Sequence, residues 1–462
     1  MSGMRPLPAI FRETIPLMKT AWPIMITQVF QMGVSTTDIL MLGEFDKTAL
    51  AAAALGLSVF YLVVLLGLGP AFAASPIIAQ MRGKRPDDAS SIKACVRASS
   101  LACLALLPAL WLCVYLIGDL LVLLGEPTIL AIKAGRFVRL LGLGLPFILL
   151  FNVYRSAATA LDRPTLPLLA MVLTILFDAA ADYALIFGHF GAPRLGLVGA
   201  GIAGASTSLF SFVAILAVLA GSSESWLLDG LRLHKKLVLN FTEALRLGVP
   251  ISLSLILETM FFSIGTLIVG HFGATAIAAH QIALNLAALT LMVPTGLAMA
   301  TTIRVAYAAG GGNSLMVRQT NLAAIILGTA FMSLSAISLA LFPDRIARLY
   351  VSAHSAGNAE VVALAAIFIR LAAIFQVASA LELIAIYSLR GLKDTAVPMT
   401  LVAGCYWAVG LPLAYLLTFR LGFGATGVWL AFIASLILAA ATLNLRFAFK
   451  TRPAALATGS YQ

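Results

Sequence analysis

The chain is 462 residues long, with 61% hydrophobic residues and only 11% charged residues. Its mean hydropathy of +1.02 is well above that of a soluble domain, which is about half apolar and a quarter charged. The composition excludes an ordinary soluble domain and indicates a polytopic membrane protein. The net charge of +11 fits an excess of Lys and Arg in short cytoplasmic loops, so we expect no nucleic-acid partner.

The N-terminal segment does not have the pattern of a cleavable signal peptide. The cysteines do not have the pattern of a disulfide scaffold or a metal cluster. The first residues carry Arg5, Arg12 and Glu13 without a short apolar core and a small-residue cleavage site, so we expect no cleavable signal. The four cysteines fall in or beside apolar segments, which predicts neither a disulfide scaffold nor a metal cluster.

Twelve apolar stretches are long enough to cross a bilayer, which requires about 20 apolar residues per helix. They are 16–42, 49–79, 94–124, 134–160, 165–188, 197–221, 245–270, 276–308, 318–342, 362–389, 395–419 and 424–448. The most polar long segment, 222–244, lies between the sixth and seventh stretches. We therefore predict an all-α integral membrane protein with an N-terminal six-helix bundle (1–221), a cytoplasmic linker (222–244) and a C-terminal six-helix bundle (245–462).

The basic loops predict the orientation in the membrane. "RGKRPDD" from Arg82, "RLHKK" from Arg232 and "RFAFKTR" from Arg446 fall on the side of the N-terminus, whereas charges on the opposite side are sparser. Because cytoplasmic loops carry the excess of Lys and Arg, both termini are expected in the cytoplasm.

The two halves of the chain repeat. The offset that aligns Pro23 with Pro250 also aligns Gly69 with Gly296, without a gap between them. Because each half has an even number of helices, the pseudo-twofold axis should run along the membrane normal. Two pseudo-symmetric bundles around a central cavity are the arrangement of transporters that work by alternating access.

The candidate groups for binding a coupling cation or a proton are carboxylates inside the predicted spans. They are Asp38, Asp178, Asp182, Glu258 and Glu382. A charge near the bilayer centre costs at least about 2.5–3.5 kcal/mol on insertion scales, so such residues are functional candidates. In "DAAAD" the two aspartates share one helical face, where a pair of acids can exchange a proton for a metal ion or a cationic ligand. The alternative for each acid is an ion pair with an intramembrane arginine, or a helix cap.

Other polar and aromatic residues are candidates for a substrate or polar cavity. They are Gln31, Tyr154, Tyr183, Met260, Phe261, His280, Gln281, Ser379 and Tyr387. The tyrosines can stack on a cationic ligand, and methionine and phenylalanine can line an adaptable cavity, although such residues more often pack or face lipid. The repeat aligns Gln31 with Glu258, which suggests one ancestral polar position per half. We expect His280 to be a hydrogen-bonded polar group rather than a metal ligand.

Several motifs carry a family resemblance. "TDILMLG" at the end of the first span, "LILETMFF" in the seventh, "AAHQIALN" from Ala278 and "SLRGLKD" after the tenth resemble the multidrug and toxic compound extrusion (MATE) family. The resemblance extends in order over most of the chain. It implies a secondary transporter rather than an enzyme: a monomer in the bacterial inner membrane that needs no cofactor. Driven by Na⁺ or H⁺, it would export organic, often cationic, compounds.

The resemblance also implies site residues. Asp38 and Glu258 match acids of the family, and Asp178 and Asp182 lie on a face where members carry polar residues. In the tenth span, bacterial members carry an aspartate where this chain has Ser379, and Glu382 follows three residues later on nearly the same face. Either the acid has moved by a turn and still faces Glu258, where the two would hold Na⁺, or that part of the cation site is missing.

Two other functions remain open on the sequence alone. A flippase for a lipid-linked precursor would need a strongly basic cavity, whereas this chain concentrates acids in its spans. An intramembrane prenyltransferase would use "DAAAD" to hold Mg²⁺ and diphosphate, but a second acidic motif with basic neighbours is absent from the sequence.

Overall fold

The structure is a computed structural model that describes residues 9–86, 88–228, 237–350 and 358–452. These residues are largely helical, and no strand occurs among them. The helices are α1 (Ala9–Phe45), α2 (Lys47–Lys84), α3 (Ala89–Leu123), α4 (Thr128–Gly142), α5 (Leu145–Ala160), α6 (Thr165–Phe187), α7 (Leu197–Ala220), α8 (Leu237–Gly270), α9 (Ala274–Gly310), α10 (Ser314–Leu341), α11 (Pro343–Tyr350), α12 (Asn358–Gly391), α13 (Ala396–Ala403), α14 (Leu411–Tyr415) and α15 (Ala425–Lys450). The predicted all-α fold class is confirmed.

The helices follow the predicted spans. Ten described helices are long and apolar enough to cross a membrane, with Ala396–Arg420 counted as one. The helices α4 and α5 meet at a bend of 47° and together are long and apolar enough for an eleventh span. The helix α1 covers the first predicted span. Two helix starts differ most from the prediction. The helix α8 begins at Leu237 and takes in part of the segment predicted as linker, and α1 begins at Ala9 instead of residue 16.

The chain divides into two compact units. The first unit is Ile26–Leu253, and the second unit combines Met1–Met25 with Ser254–Gln462. Both divisions fall inside the first helix of a repeat, α1 and α8, at nearly equivalent places. The boundary predicted from the sequence lies at 222–244, in the segment between the two repeats. That the two six-helix bundles are the functional domains stays a prediction.

A close helix crossing stabilises the first unit. A Cβ atom placed on Gly69 of α2 would lie 2.0 Å from the carbonyl oxygen of Gly248 in α8. Ser252 Oγ donates to the Leu66 carbonyl at 2.8 Å and accepts from the Gly69 N–H at 3.0 Å. Small residues therefore let these two backbones touch, as is typical of membrane helix packing.

The second unit contains the equivalent crossing. A Cβ atom on Gly296 of α9 would lie 2.6 Å from the Cα atom of Met25 in α1. Gly296 is the residue that the repeat aligns with Gly69. The matching glycines in the sequence therefore correspond to matching helix crossings, one in each unit.

Gly69→Ala is expected to lower the Tm of the purified protein, because the added methyl group would overlap the backbone of Gly248. Overpacking of this kind costs about 1–3 kcal/mol. Gly404→Ala is the matched control, because nothing lies within 4 Å of a Cβ atom there. The measurement is the loss of the monodisperse size-exclusion peak with temperature in detergent. Equal Tm values for the two variants would contradict the crossing.

Candidate cation and substrate sites

Three carboxylates meet inside the first unit. Asp178 and Asp182 lie one turn apart on α6 and are both 2% exposed, whereas Asp38 comes from α1 and is partly buried. One carboxylate oxygen from each of the three residues lies within 4.8 Å of the other two. We call Asp38, Asp178 and Asp182 the acidic cluster.

The acidic cluster has unused hydrogen-bonding capacity. At least one oxygen of each carboxylate is buried without a hydrogen-bond partner, and none of the ion pairs between described residues involves the cluster. Two like charges 4 Å apart repel by about 4 kcal/mol at an effective dielectric constant of about 20. A proton or a small cation would therefore stabilise this arrangement.

The donor set suits a hard cation. Carboxylate oxygens are the ligands that such ions prefer, and three of them converge here from two helices. The cluster can share a proton between carboxylates or hold a small metal ion, and its three acids also favour a cationic organic ligand.

The first unit also contains a buried cation that was not identified from the sequence. Arg155 of α5 is 5% exposed, and its Nη1 donates to Gln31 Oε1 at 3.3 Å. Gln31, predicted as the counterpart of Glu258, thus binds a guanidinium. A lone arginine in the apolar run "FNVYRSAATA" was the available signal.

The two tyrosines predicted for this half make aromatic contacts of their own. Tyr154 packs against Phe212 with ring centroids 6.1 Å apart. Tyr183, which is 43% exposed, stacks on His189 at 4.3 Å. Stacking of either ring on a cargo stays a prediction.

Two carboxylates interact in the second unit. Glu382 of α12 is buried, and its Oε1 has no hydrogen-bond partner. Its charge interacts with the charges of Glu258 in α8 and Arg390 in α12, and Glu258 also interacts with Arg390. The structure therefore brings Glu382 into the surroundings of Glu258, although it lies a turn away from the position where the family resemblance places an acid.

Arg390 is the second buried cation that was not identified from the sequence. It lies in the last turn of α12, is 5% exposed, and stacks over Tyr387 at 4.4 Å. Arg370 of the same helix pairs with Asp344 at 3.9 Å on an exposed surface. The second-unit site thus combines two glutamates with one guanidinium.

A π-helical segment supports the second-unit site. The residues Gly404–Gly410 form a π-helix between α13 and α14. Its buried Tyr406 stacks on Phe261 at 4.8 Å, and its hydroxyl group, without a hydrogen-bond partner, lies in the electrostatic field of both glutamates. Trp407 Nε1 donates to the Leu257 carbonyl at 3.2 Å, next to Glu258. Such segments frequently occur at functional sites.

The other residues predicted for a site in the second unit differ in burial. Ser379 is buried one turn before Glu382, Met260 is partly buried, and Gln281 is exposed. His280 is fully buried and shares a hydrogen bond with Thr266 Oγ1 at 3.0 Å. Its buried Nδ1 has no hydrogen-bond partner, so a role of His280 in a polar cavity stays a prediction.

Gln376 was also not identified from the sequence. It lies on α12, two turns before Glu382, and is completely buried. Neither its amide oxygen nor its amide nitrogen has a hydrogen-bond partner among the described residues. An unpaired buried amide is costly, so this face of α12 is suited to a polar ligand or water.

Comparison with known proteins identifies a family. A family model described as MatE matches residues 23–184 and 250–416. The chain is 34% identical over 445 residues to the probable multidrug resistance protein NorM of Rhizobium meliloti (strain 1021), covering 95% of this chain and 93% of that protein. It is 32% identical over 452 residues to the multidrug resistance protein NorM of Burkholderia vietnamiensis, covering 96% of each.

Solved structures share the fold. The eukaryotic MATE transporter AtDTX14 superposes with a TM-score of 0.85 at 21% identity, covering 97% of this chain and 99% of that chain. A variant of the Vibrio cholerae MATE transporter VcmN superposes with a TM-score of 0.86 at 19% identity, covering 96% and 99%.

Proposed function

The chain belongs to the multidrug and toxic compound extrusion (MATE) family, and we propose that it is an antiporter that couples H⁺ or Na⁺ entry to the export of organic cations. A MATE protein is a secondary transporter, not an enzyme. As a multi-pass protein with bacterial relatives, it is assigned to the inner membrane. We further propose that it acts as a monomer with both termini in the cytoplasm.

The acidic cluster is the observation that carries this proposal. Its three carboxylates lie in helices of a membrane-spanning protein, within 4.8 Å of one another, with buried oxygens that lack partners. Intramembrane acids of this kind mark ion and proton pathways. The names of the relatives support drug-like cargo, because those proteins are called multidrug resistance proteins.

Coupling follows from competition for negative charge. A coupling cation at a carboxylate neutralises it and weakens the hold on a cationic cargo, whereas the bound cargo disfavours the coupling cation. By linkage, each ligand lowers the affinity for the other by the same factor. Alternating exposure of the sites to the two sides of the membrane then converts this competition into antiport.

The two sites differ in charge, and we propose that they differ in role. The acidic cluster has three acids, whereas Glu258 and Glu382 share their surroundings with the guanidinium of Arg390. Arg390 offsets one negative charge of the second-unit site. That site is then suited to a single small cation, a proton or Na⁺, and the acidic cluster to the larger organic cation or to several protons.

Everted membrane vesicles test the function. We expect ATP-energised vesicles to accumulate a cationic dye. Uptake should stop when the proton gradient is dissipated if H⁺ is the coupling ion, and when Na⁺ is removed if Na⁺ is the coupling ion. The control is the same vesicles without the protein. Uptake that persists after both gradients are removed would contradict cation coupling, and gradient-driven uptake that responds to only one treatment identifies the ion.

A further inference from the structure

A polar cavity lies at one end of the first unit, apart from both carboxylate sites. Its volume is about 540 Å³. Its wall combines the C-terminal turn of α2, the N-terminal turn of α3, the loop between α5 and α6, and the turn that follows α7. Its lining includes Arg82, Ile92, Asp162, Arg163, Glu224 and Trp226. We call this cavity the helix-end pocket.

The acidic side of the helix-end pocket is rigidly built. Glu224 Oε1 accepts from Arg163 Nε at 3.3 Å, and Glu224 Oε2 accepts from Trp226 Nε1 at 2.8 Å. Only 13% of the Glu224 side chain is exposed, compared with 53% of the Arg163 side chain. The carboxylate is therefore held in place, while much of the arginine remains accessible.

Basic side chains lie on two sides of the pocket. The ammonium of Lys93 lies 5.8 Å from the centroid of the Trp226 ring. On another wall of the pocket, Arg82 Nη1 donates to the carbonyl of Ala160 at 3.4 Å, which holds the guanidinium beside the end of α5. Asp162 stands in the same loop in a left-handed conformation, with φ of 65°. The pocket lining thus presents two guanidinium groups, two carboxylates and one indole.

The position of the pocket points to the headgroup layer of the membrane. Four helices of the first unit begin or end around it: α2, α3, α5 and α6. Tryptophan is enriched at the depth of the lipid headgroups, beyond the apolar core that the helices cross. Its apolar wall, which includes Ile92, can accommodate the first carbons of a lipid.

We propose that the helix-end pocket binds a zwitterionic headgroup in which a phosphate and a primary ammonium are joined by a short linker, as in phosphatidylethanolamine. The phosphate would lie against Arg82 and Arg163, which donate charge-assisted hydrogen bonds. The ammonium would lie against the carboxylates of Asp162 and Glu224, the second of which is held by Trp226. Because the wall carries two arginines and two acids, we expect a headgroup with both charges to bind better than a headgroup with only one.

The test compares lipid classes on the wild-type protein in detergent. Short-chain phosphatidylethanolamine is expected to raise the Tm by several degrees, because a ligand that binds only the folded state stabilises it. Phosphatidylglycerol of equal chain length should raise it much less. Equal shifts for the two lipids, or none for phosphatidylethanolamine, would overturn the proposal.

A second experiment with a soluble ligand distinguishes a lipid headgroup from a free small molecule. Free phosphoethanolamine is expected to produce a smaller shift at the same concentration, because it lacks the chains that hold the headgroup at this depth. A shift equal to that of the lipid would also support the pocket chemistry, and it would identify a free small molecule as the ligand.

Substitutions in the pocket test whether the lipid-induced Tm shift arises there. Arg163→Gln and Trp226→Leu are each expected to reduce the lipid-induced Tm shift at least severalfold, whereas Arg420→Gln, on an exposed arginine outside the pocket, should leave it unchanged. Each shift is measured against the variant's own lipid-free Tm, so a lower starting stability does not affect the comparison. Full shifts in both pocket variants would overturn the assignment to this pocket.

Discussion

Efflux driven by an ion gradient is expected to fall to background when Glu258 is replaced by glutamine. The amide keeps the size of the side chain but cannot exchange a proton, and it offers a weaker ligand to Na⁺. Coupling free energies between two ligands are typically about 1–3 kcal/mol, or about 5–150-fold in affinity. Loss of the charge removes the coupling ion from the second-unit site, so the ion gradient no longer drives release of the dye.

Glu382→Gln is expected to produce the same loss, because the two glutamates interact with each other and with Arg390. Glu360→Gln is the matched control, since Glu360 is an exposed acid at the start of the same helix. The measurement is dye transport at matched expression, together with the size-exclusion profile of each variant. Normal transport in Glu382→Gln with loss in Glu258→Gln would show that the acid displaced by one turn takes no part.

Asp178→Asn is expected to abolish transport and at the same time to raise the thermal stability. The three carboxylates of the acidic cluster lie within 4.8 Å of one another, and removing one charge relieves repulsion between like charges. Functional sites often retain such unfavourable arrangements, and stabilising substitutions there cost activity. An increase in Tm of a few degrees in cation-free buffer at pH 8 is therefore the expected result.

The same variant should respond less to cations. If the wild-type cluster binds a cation, adding that cation should raise the wild-type Tm, and the difference between the two proteins should shrink. Asp119→Asn is the control, because Asp119 is an exposed acid of α3 that does not belong to the cluster. A lower Tm for Asp178→Asn than for Asp119→Asn, with no change in transport, would show that the cluster has a structural role.

The spans could be predicted because the thickness of the bilayer imposes a length of apolar chain that the sequence displays directly. The break between α4 and α5 was not predicted, since the segment "GLGLP" from Gly142 is as apolar as its neighbours. The early start of α8 was missed for the opposite reason. Its first turns, "LVLNFTEAL", contain polar residues and were interpreted as a linker.

The candidate sites were only partly predictable. The spacing of Asp178 and Asp182 places them on one face of α6, but helical periodicity does not show that Asp38 joins them from another helix. The burial of Arg155 and Arg390 was equally invisible, because it depends on how neighbouring helices pack around the two side chains. The π-helical segment at Gly404–Gly410 has no periodic signature in the sequence.

The most direct test of the account is dye transport by the double variant Asp38→Asn and Glu258→Gln, which removes one acid from each carboxylate site. Everted vesicles that contain this protein are compared with wild-type vesicles at equal expression and under the same imposed gradient. Competition between the cargo and the coupling ion for these carboxylates predicts transport at the level of vesicles without the protein. Gradient-driven transport at the wild-type rate would contradict it.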